Sequence, residues 1–170
     1  MELNELVKIR RSVRSYSEDR ISESEIRQII ACAQLSPSWK NTQTGRYYVA
    51  LSDEAIETVM NCLPDFNQNS SRNAAYIISS YQKGLSGAGS DEGELWGAYD
   101  LGLQNAYLLL KASEMGYDTL IMGLRDFQGL KEYFGIPDDE TVLPVIAIGK
   151  RKGEPVFKPR KDPDEILKIR

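Results

Sequence analysis

Apolar residues recur along this chain at two spacings, and the spacing predicts the elements. After the capping-box pattern Ser22-Glu23-Ser24-Glu25, the residues Ile26, Ile29, Ile30 and Ala33 fall at helical intervals. That helix should stop near Ser36-Pro37, because proline disfavours helical geometry in the residue before it. Arg46 to Leu51, rich in aromatic and branched residues, reads as a strand. A helix capped by Asp53 follows, with Ile56, Val59, Met60 and Leu63 on one face and Pro64 at its end. A polar stretch from Asp65 to Arg72 leads to Ala75–Tyr81, a central strand. The segment from Gly84 to Gly93 contains four glycines and reads as a flexible loop or lid.

The longest helical pattern runs from Glu94 to Met115, with Leu95, Ala98, Leu101, Gly102, Ala106, Leu109 and Ala112 in register and Gly116 as its C-terminal cap. Thr119–Gly123 is a strand or loop, Asp126–Phe134 a short helix ended by Gly135, and Val142–Gly149 the last strong strand. Pro144 within that strand argues for an edge or a bulge. No repeat and no linker-like break interrupts residues 1–170, so helices interspersed with few strands predict a single α+β domain.

Composition narrows the chemistry. At 170 residues, the chain is long enough to bury roughly 70% of the surface its unfolded form exposes. The absence of histidine excludes Ser-His-Asp and Cys-His nucleophilic sites, His-containing zinc sites and histidine acid/base work. Redox or group-transfer chemistry would then belong to a cofactor. Cys32 and Cys62 lie in helical stretches and read as buried reduced thiols, not as a metal pair or a disulfide. An acidic N-terminus without an apolar core, and no run of about 18 apolar residues, predict a cytoplasmic protein with no membrane span.

Charge is distributed unevenly on a chain of net −4. Val7–Tyr16 holds Lys8, Arg10, Arg11 and Arg14 with no acid, and residues 150–170 carry eight basic side chains against four acidic ones. Two cationic ends on an acidic body are what a fold would show if both converged on one anion; the plainer alternative is two solvated faces. The acidic whole and the lack of a basic stripe with interleaved aromatics speak against nucleic acid. A phosphate loop is equally poorly supported, since no Lys-Ser/Thr follows the glycines of residues 84–93.

Four segments together carry a resemblance. Ile9-Arg10-Arg11-Ser12-Val13-Arg14-Ser15-Tyr16, Ser36-Pro37-Ser38-Trp39-Lys40-Asn41-Thr42-Gln43, Asp100–Asn105 continuing through Gly116–Thr119 to Met122-Gly123, and Val145–Gly149 followed by Lys158-Pro159-Arg160 are similar, in order, to the nitroreductase family of FMN-dependent oxidoreductases. The resemblance implies an α+β fold with a mixed, mostly antiparallel sheet of about four to five strands flanked by helices, and a C-terminal segment reaching the partner subunit. It implies a homodimer with sites at the interface. NADH or NADPH would deliver hydride through flavin N5 to nitroaromatics, quinones or related acceptors by a ping-pong route, with no catalytic side chain and no metal.

Physical sense supports several of these assignments. FMN ends in a dianionic phosphate, and Arg10, Ser12, Lys158 and Arg160 offer the bidentate cations, point charge and hydroxyl such a group needs. By resemblance, Arg11 also binds the cofactor. The resemblance also puts Arg14 near the flavin's pyrimidine edge, where a cation would stabilise the charge gained on reduction, and the Gly123 amide, next to Met122, facing N5. The resemblance implies that Pro37, Ser38, Trp39, Asn41 and Gln43 form a turn that reaches the flavin from the partner subunit; as plain turn chemistry, Pro, Ser and Asn would occur there anyway. Departures from the family pattern are Trp39 and Lys40, usually small or polar, Thr44-Gly45 in place of Pro-Trp, and a shortened region between Leu63 and Leu95. The indole could line the pocket or pack in the interface. Rival readings are another flavin reductase on the same scaffold, such as a dehalogenase or ene-type enzyme, and a non-enzymatic protein that binds FMN or a phosphorylated metabolite.

Overall fold

A computed structural model describes residues 2–89 and 91–170; Met1, and Ser90 within the glycine-rich segment, lie outside the described residues. Helix α1 (Leu3–Ile9) and α2 (Glu23–Ala33) precede a short 3-10 turn at Trp39–Asn41 and strand β1 (Gly45–Ala50). Helices α3 (Asp53–Asn61) and α4 (Asp65–Ser71) lead to β2 (Ala75–Gln82) and the long α5 (Gly93–Glu114). Strand β3 (Asp118–Met122), α6 (Phe127–Phe134), β4 (Glu140–Gly149) and a one-turn α7 (Pro163–Ile166) complete the chain. No helix among the described residues is long and apolar enough to cross a membrane.

The four strands form one sheet in the order β1-β2-β4-β3, with antiparallel neighbours throughout. An isolated parallel bridge between Ser12 and Thr119 adds the mixed character at the β3 edge. The two central strands read as continuous apolar runs because both of their faces are covered. Tyr76, Ile78, Val145 and Ala147 point to one face, where they meet Ile56, Val59 and Leu63 around α3 and Leu130 of α6. Ala75, Ile77, Ile146 and Ile148 point to the other, against Ile26 and Ile29 of α2 and Leu108 and Ala112 of α5. Each large aliphatic side chain buried in this way stabilises the fold by roughly 1.5–3 kcal/mol.

The predicted capping box is present: Glu25 N donates to Ser22 Oγ at 3.3 Å, and Ser22 N donates to Glu25 Oε2 at 2.9 Å. Glu25 also accepts from Tyr117 OH at 2.8 Å, which ties α2 to the start of β3. Pro144 lies in a central strand, so an edge position is wrong, but the alternative of a bulge holds. The β2–β4 register slips between Ile78 and Ser80, leaving Leu143 and Pro144 opposite Ser79. Pairing with β3 has already ended at Val145, so the missing proline N–H leaves no ladder acceptor without a partner.

Three further expectations are corrected. Asp65–Ser71, read as a polar connection, is helix α4, and its stability comes from side-chain bonds to backbone rather than from an apolar stripe. Gln68 Nε2 donates to Leu63 O at 2.8 Å, Ser71 Oγ to Asn67 O at 2.7 Å and Asn67 Nδ2 to Leu124 O at 3.3 Å. The two cysteines are free thiols but only partly buried, Cys32 on α2 and Cys62 at the end of α3. On α5, the apolar stripe assigned to the core is partly reversed. Gly97, Asp100, Leu101, Gln104 and Asn105 face inward, whereas Leu95 is 69% and Tyr99 58% exposed and Gly102 and Ala106 also face out.

Gly97 marks where α5 crosses closest to the sheet, since a Cβ there would stand 2.5 Å from the Tyr81 ring. In an open helix, Gly→Ala gains about 1 kcal/mol, but overpacking against a buried ring typically costs about 1–3 kcal/mol, so the steric term outweighs the gain by up to about 2 kcal/mol. Gly97→Ala is therefore expected to lower the urea midpoint; an unchanged or raised midpoint would show that Tyr81 has room to move.

Candidate functional site

The chain's two basic ends meet. Residues 12–17 run between the β3 edge and the chain leaving β4: Val13 N donates to Thr119 O at 3.0 Å, Ser17 N to Lys150 O at 2.8 Å and Lys152 N to Ser15 O at 2.9 Å. Tyr16 locks this strip, its ring against Gly149 and its hydroxyl donating to Val13 O at 3.0 Å. Burial and the dielectric it imposes push the Tyr16 hydroxyl pKa far above its usual range. Beyond Lys152 the chain folds back over the strip, enclosing a cleft of about 170 Å³ between Ser12–Ser15 and Lys152–Val156.

This route brings like charges together. The Arg10 guanidinium is held below its ordinary pKa, first by partial burial and then by the nearby charges of Arg160 and Arg11. The Arg11 guanidinium stands over the Phe157 ring, 4.8 Å from its centroid. Among the described residues, Arg10, Arg11, Lys158 and Arg160 have no carboxylate within ion-pair distance. Three arginines gathered from opposite ends of a net-acidic chain with no acid beside them leave a place for an anion.

Adjacent to the strip is a cavity of about 530 Å³ lined by Arg14, Met122 and Gly123 together with Phe66, Asn67 and Ser70 of α4. Nothing lies within 4 Å of where a Gly123 Cβ would be, so a ligand can approach that backbone directly. The loop after β3 is held by Arg125, whose two terminal nitrogens donate to Gly123 O and Val142 O, each at 2.5 Å, and by the Asn67 bond to Leu124 O. Phe66, 58% exposed at the cavity wall, is a site candidate that sequence reasoning missed, with Asn67 and Ser70. The Pro64-Asp65 step, a proline followed by an acid at a helix start, was the one local signal of α4.

The remaining predicted group sits elsewhere. Pro37–Gln43 precedes β1, at the end of the sheet where Gly45 pairs with Tyr81, whereas Ser12 bridges to Thr119 at the level of Ala75 and Ile148. The two groups occupy diagonally opposite corners, about 19 Å apart across the sheet and about 20 Å along it. Within one chain they are not brought together.

The turn itself is strained. Lys40, Asn41 and Gln43 have φ of 46°, 56° and 50°, left-handed conformations that each cost of order 1–3 kcal/mol and persist only where surroundings over-determine them. Asn41 N donates to Ser38 O and Thr42 N to Trp39 O, both at 3.0 Å, and Gln43 N donates to Ser38 Oγ at 3.0 Å. Trp39 N donates to Asp100 Oδ2 of α5 at 3.0 Å, and Lys40 Nζ stands 4.5 Å from the Trp39 ring centroid. Ser38 and Trp39 are half-buried, while Pro37, Asn41 and Gln43 are exposed. A larger cavity of about 670 Å³ lies between α2 and β1, lined by Ile30, Tyr47, Val49 and Leu51 among others, but its one arginine, Arg27, is already paired with Glu23.

Comparison with known proteins agrees with this geometry. The chain matches the Nitroreductase family over residues 7–88 and 64–150. An Archaeoglobus fulgidus protein bearing an NADH dehydrogenase/NAD(P)H nitroreductase name is 28% identical over 168 residues, covering 95% of this chain and 94% of its own. A Bacillus subtilis protein with an NAD(P)H nitroreductase name is 30% identical, covering 88% of each chain. A nitroreductase-named protein of Exiguobacterium sibiricum, solved in complex with FMN, superposes with a TM-score of 0.90 at 25% identity, covering 100% of this chain and 98% of its own. The matched segments include the Arg10–Tyr16 strip, the strained turn and the Gly123 loop, and the chain belongs to the nitroreductase family.

Proposed function

We propose that this chain is a single FMN-binding domain that acts, as a homodimer, as an NAD(P)H-dependent oxidoreductase on nitroaromatics, quinones or related acceptors. The observation that carries the reading is the meeting of Arg10, Arg11 and Arg160, with no acid at ion-pair distance among the described residues, on the same strip whose Arg14 lines a cavity with Gly123. When bound, FMN would supply the hydride-transfer chemistry between a nicotinamide and the acceptor.

The side chains bind and tune. Arg10 and Arg160, with Lys158, Arg11 and the Ser12 hydroxyl, take the phosphate; each charge-assisted hydrogen bond contributes roughly 1.5–3 kcal/mol, and the dianion also relieves the repulsion among the cations. Arg14 holds positive charge at the cavity wall, where it would stabilise negative charge on a reduced flavin ring. Gly123 leaves its backbone open to the ring, with Met122 buried behind it. No side chain here has to donate or abstract a proton in a hydride transfer, which suits a chain without histidine.

Pro37, Ser38, Trp39, Asn41 and Gln43 complete the site from a second copy, since one chain holds them at the far corner of the sheet. The outward face of α5 supports that assembly: Leu95, Trp96, Tyr99 and Tyr107 are 69, 39, 58 and 39% exposed on a helix whose inner side is already buried against the rest of the chain. An apolar outer face opposite a buried inner one fits a helix covered on both sides. The partner relation is symmetric, so two equivalent sites result.

Three outcomes test this reading. Purified protein supplied with FMN should turn yellow and bleach on anaerobic addition of NADH or NADPH; failure to take up FMN in excess would refute the proposal, and uptake without bleaching would favour a non-enzymatic binder. Arg10→Ala combined with Arg160→Ala should weaken FMN binding by at least about 100-fold while the far-ultraviolet helical signal is kept, and retained flavin would contradict the phosphate assignment. Leu95→Glu with Tyr99→Glu should convert a dimer into monomers in sedimentation, with loss of FMN; an unchanged sedimentation coefficient would move the interface away from α5.

A further inference from the structure

The inner face of α5 holds a carboxylate that none of the assignments above uses. Asp100 is 2% exposed, and among the described residues no Lys or Arg lies within ion-pair distance of it. A buried carboxylate without a counter-cation is unfavourable unless hydrogen-bond donors converge on it. Two do so here, on the same oxygen: Asp100 Oδ2 accepts from Trp39 N at 3.0 Å and from Ser86 Oγ.

The two donors belong to different segments. Trp39 opens the left-handed run of the strained turn. Ser86, 1% exposed, lies in the glycine-rich segment, which crosses the start of α5 so closely that a Cβ on Gly87 would stand 2.7 Å from the Trp96 ring. Positive φ at Gly84, Gly87 and Gly89 lets that segment bend back toward the helix. The rest of the turn is braced mostly from within, by the bonds from Asn41, Thr42 and Gln43 to Ser38 and Trp39. Those bonds preserve its shape but do not set where it stands on the helix.

We propose that Asp100 is a positioning residue: its carboxylate docks the Ser38–Gln43 turn on α5 and, through Ser86, couples the turn to the Gly84–Gly89 strap. Fixing either segment orients the oxygen for the other, so a ligand that seats the turn also tightens the strap. The coupling is a property of the free chain. Its role in FMN binding rests on the proposed function.

Amide hydrogen exchange on FMN-free protein tests the docking, and FMN titration tests its consequence. In Asp100→Ala, exchange should accelerate in peptides covering 38–44 and 84–89 together, and FMN should bind about tenfold more weakly. Asp100→Asn retains one carbonyl oxygen, which can accept from both Trp39 N and Ser86 Oγ, so it should restore most of both. Ser86→Ala, which leaves the carboxylate in place, should loosen 84–89 strongly and 38–44 measurably; it also serves if the alanine variant does not fold. A merely structural carboxylate would lower the thermal midpoint while leaving FMN affinity unchanged and the Ser86→Ala effect confined to 84–89; either result overturns the inference. If wild-type protein takes up no FMN yet both segments loosen in Asp100→Ala, the docking stands and the FMN reading falls.

Discussion

The structure depends on a strip of backbone pairing that forces repelling charges together. Residues 12–17 are held between Thr119 on one side and Lys150–Lys152 on the other. Without that pairing, the cationic N-terminal segment and the cationic C-terminal segment would be driven apart. With it, Arg10 meets Arg160, and Arg11 stands over the Phe157 ring. Backbone hydrogen bonds and the burial of Val13 and Tyr16 offset the repulsion, and the local excess of positive potential is the feature a phosphate would use.

Much of the fold was legible because its period signals were strong. The capping box of α2, the apolar runs of β2 and β4 and the glycine ends of α5 and α6 all stand where local chemistry puts them. Pro144 was half legible: proline forbids an ordinary ladder position, but whether an edge or a bulge resolves the conflict depends on the neighbours, which only the register reveals. Helix α4 was illegible for a definite reason. It carries one large apolar side chain, Phe66, and that ring faces outward; its hydrogen bonds run from Gln68, Ser71 and Asn67 to particular carbonyls, a pattern with no period.

The site was legible in parts for a related reason. Charge clustering exposed both basic ends without any knowledge of topology, and the family resemblance placed Arg14 and Gly123, which the fold then brings to one cavity. Asp100 could not be read in advance, because its value lies in two contacts, 61 and 14 residues away in sequence. Likewise, the periodicity of α5 identified a helix correctly and its inner side only in part: Leu101, Leu109 and Ala112 face in, but Leu95, Gly102 and Ala106 do not. Hydrophobicity reports which face avoids water, and on this helix the outward face is the more apolar one at its N-terminal half.

The left-handed turn has a consequence for how this region can vary. Lys40, Asn41 and Gln43 occupy backbone angles that β-branched residues enter only with strain, whatever their side chains could offer. Glycine, asparagine and aspartate pass that filter; valine, isoleucine and threonine do not. Handedness would therefore act on mutations ahead of chemistry at these three positions, and a library randomised there would return short or flexible residues first, before selection for any ligand had begun.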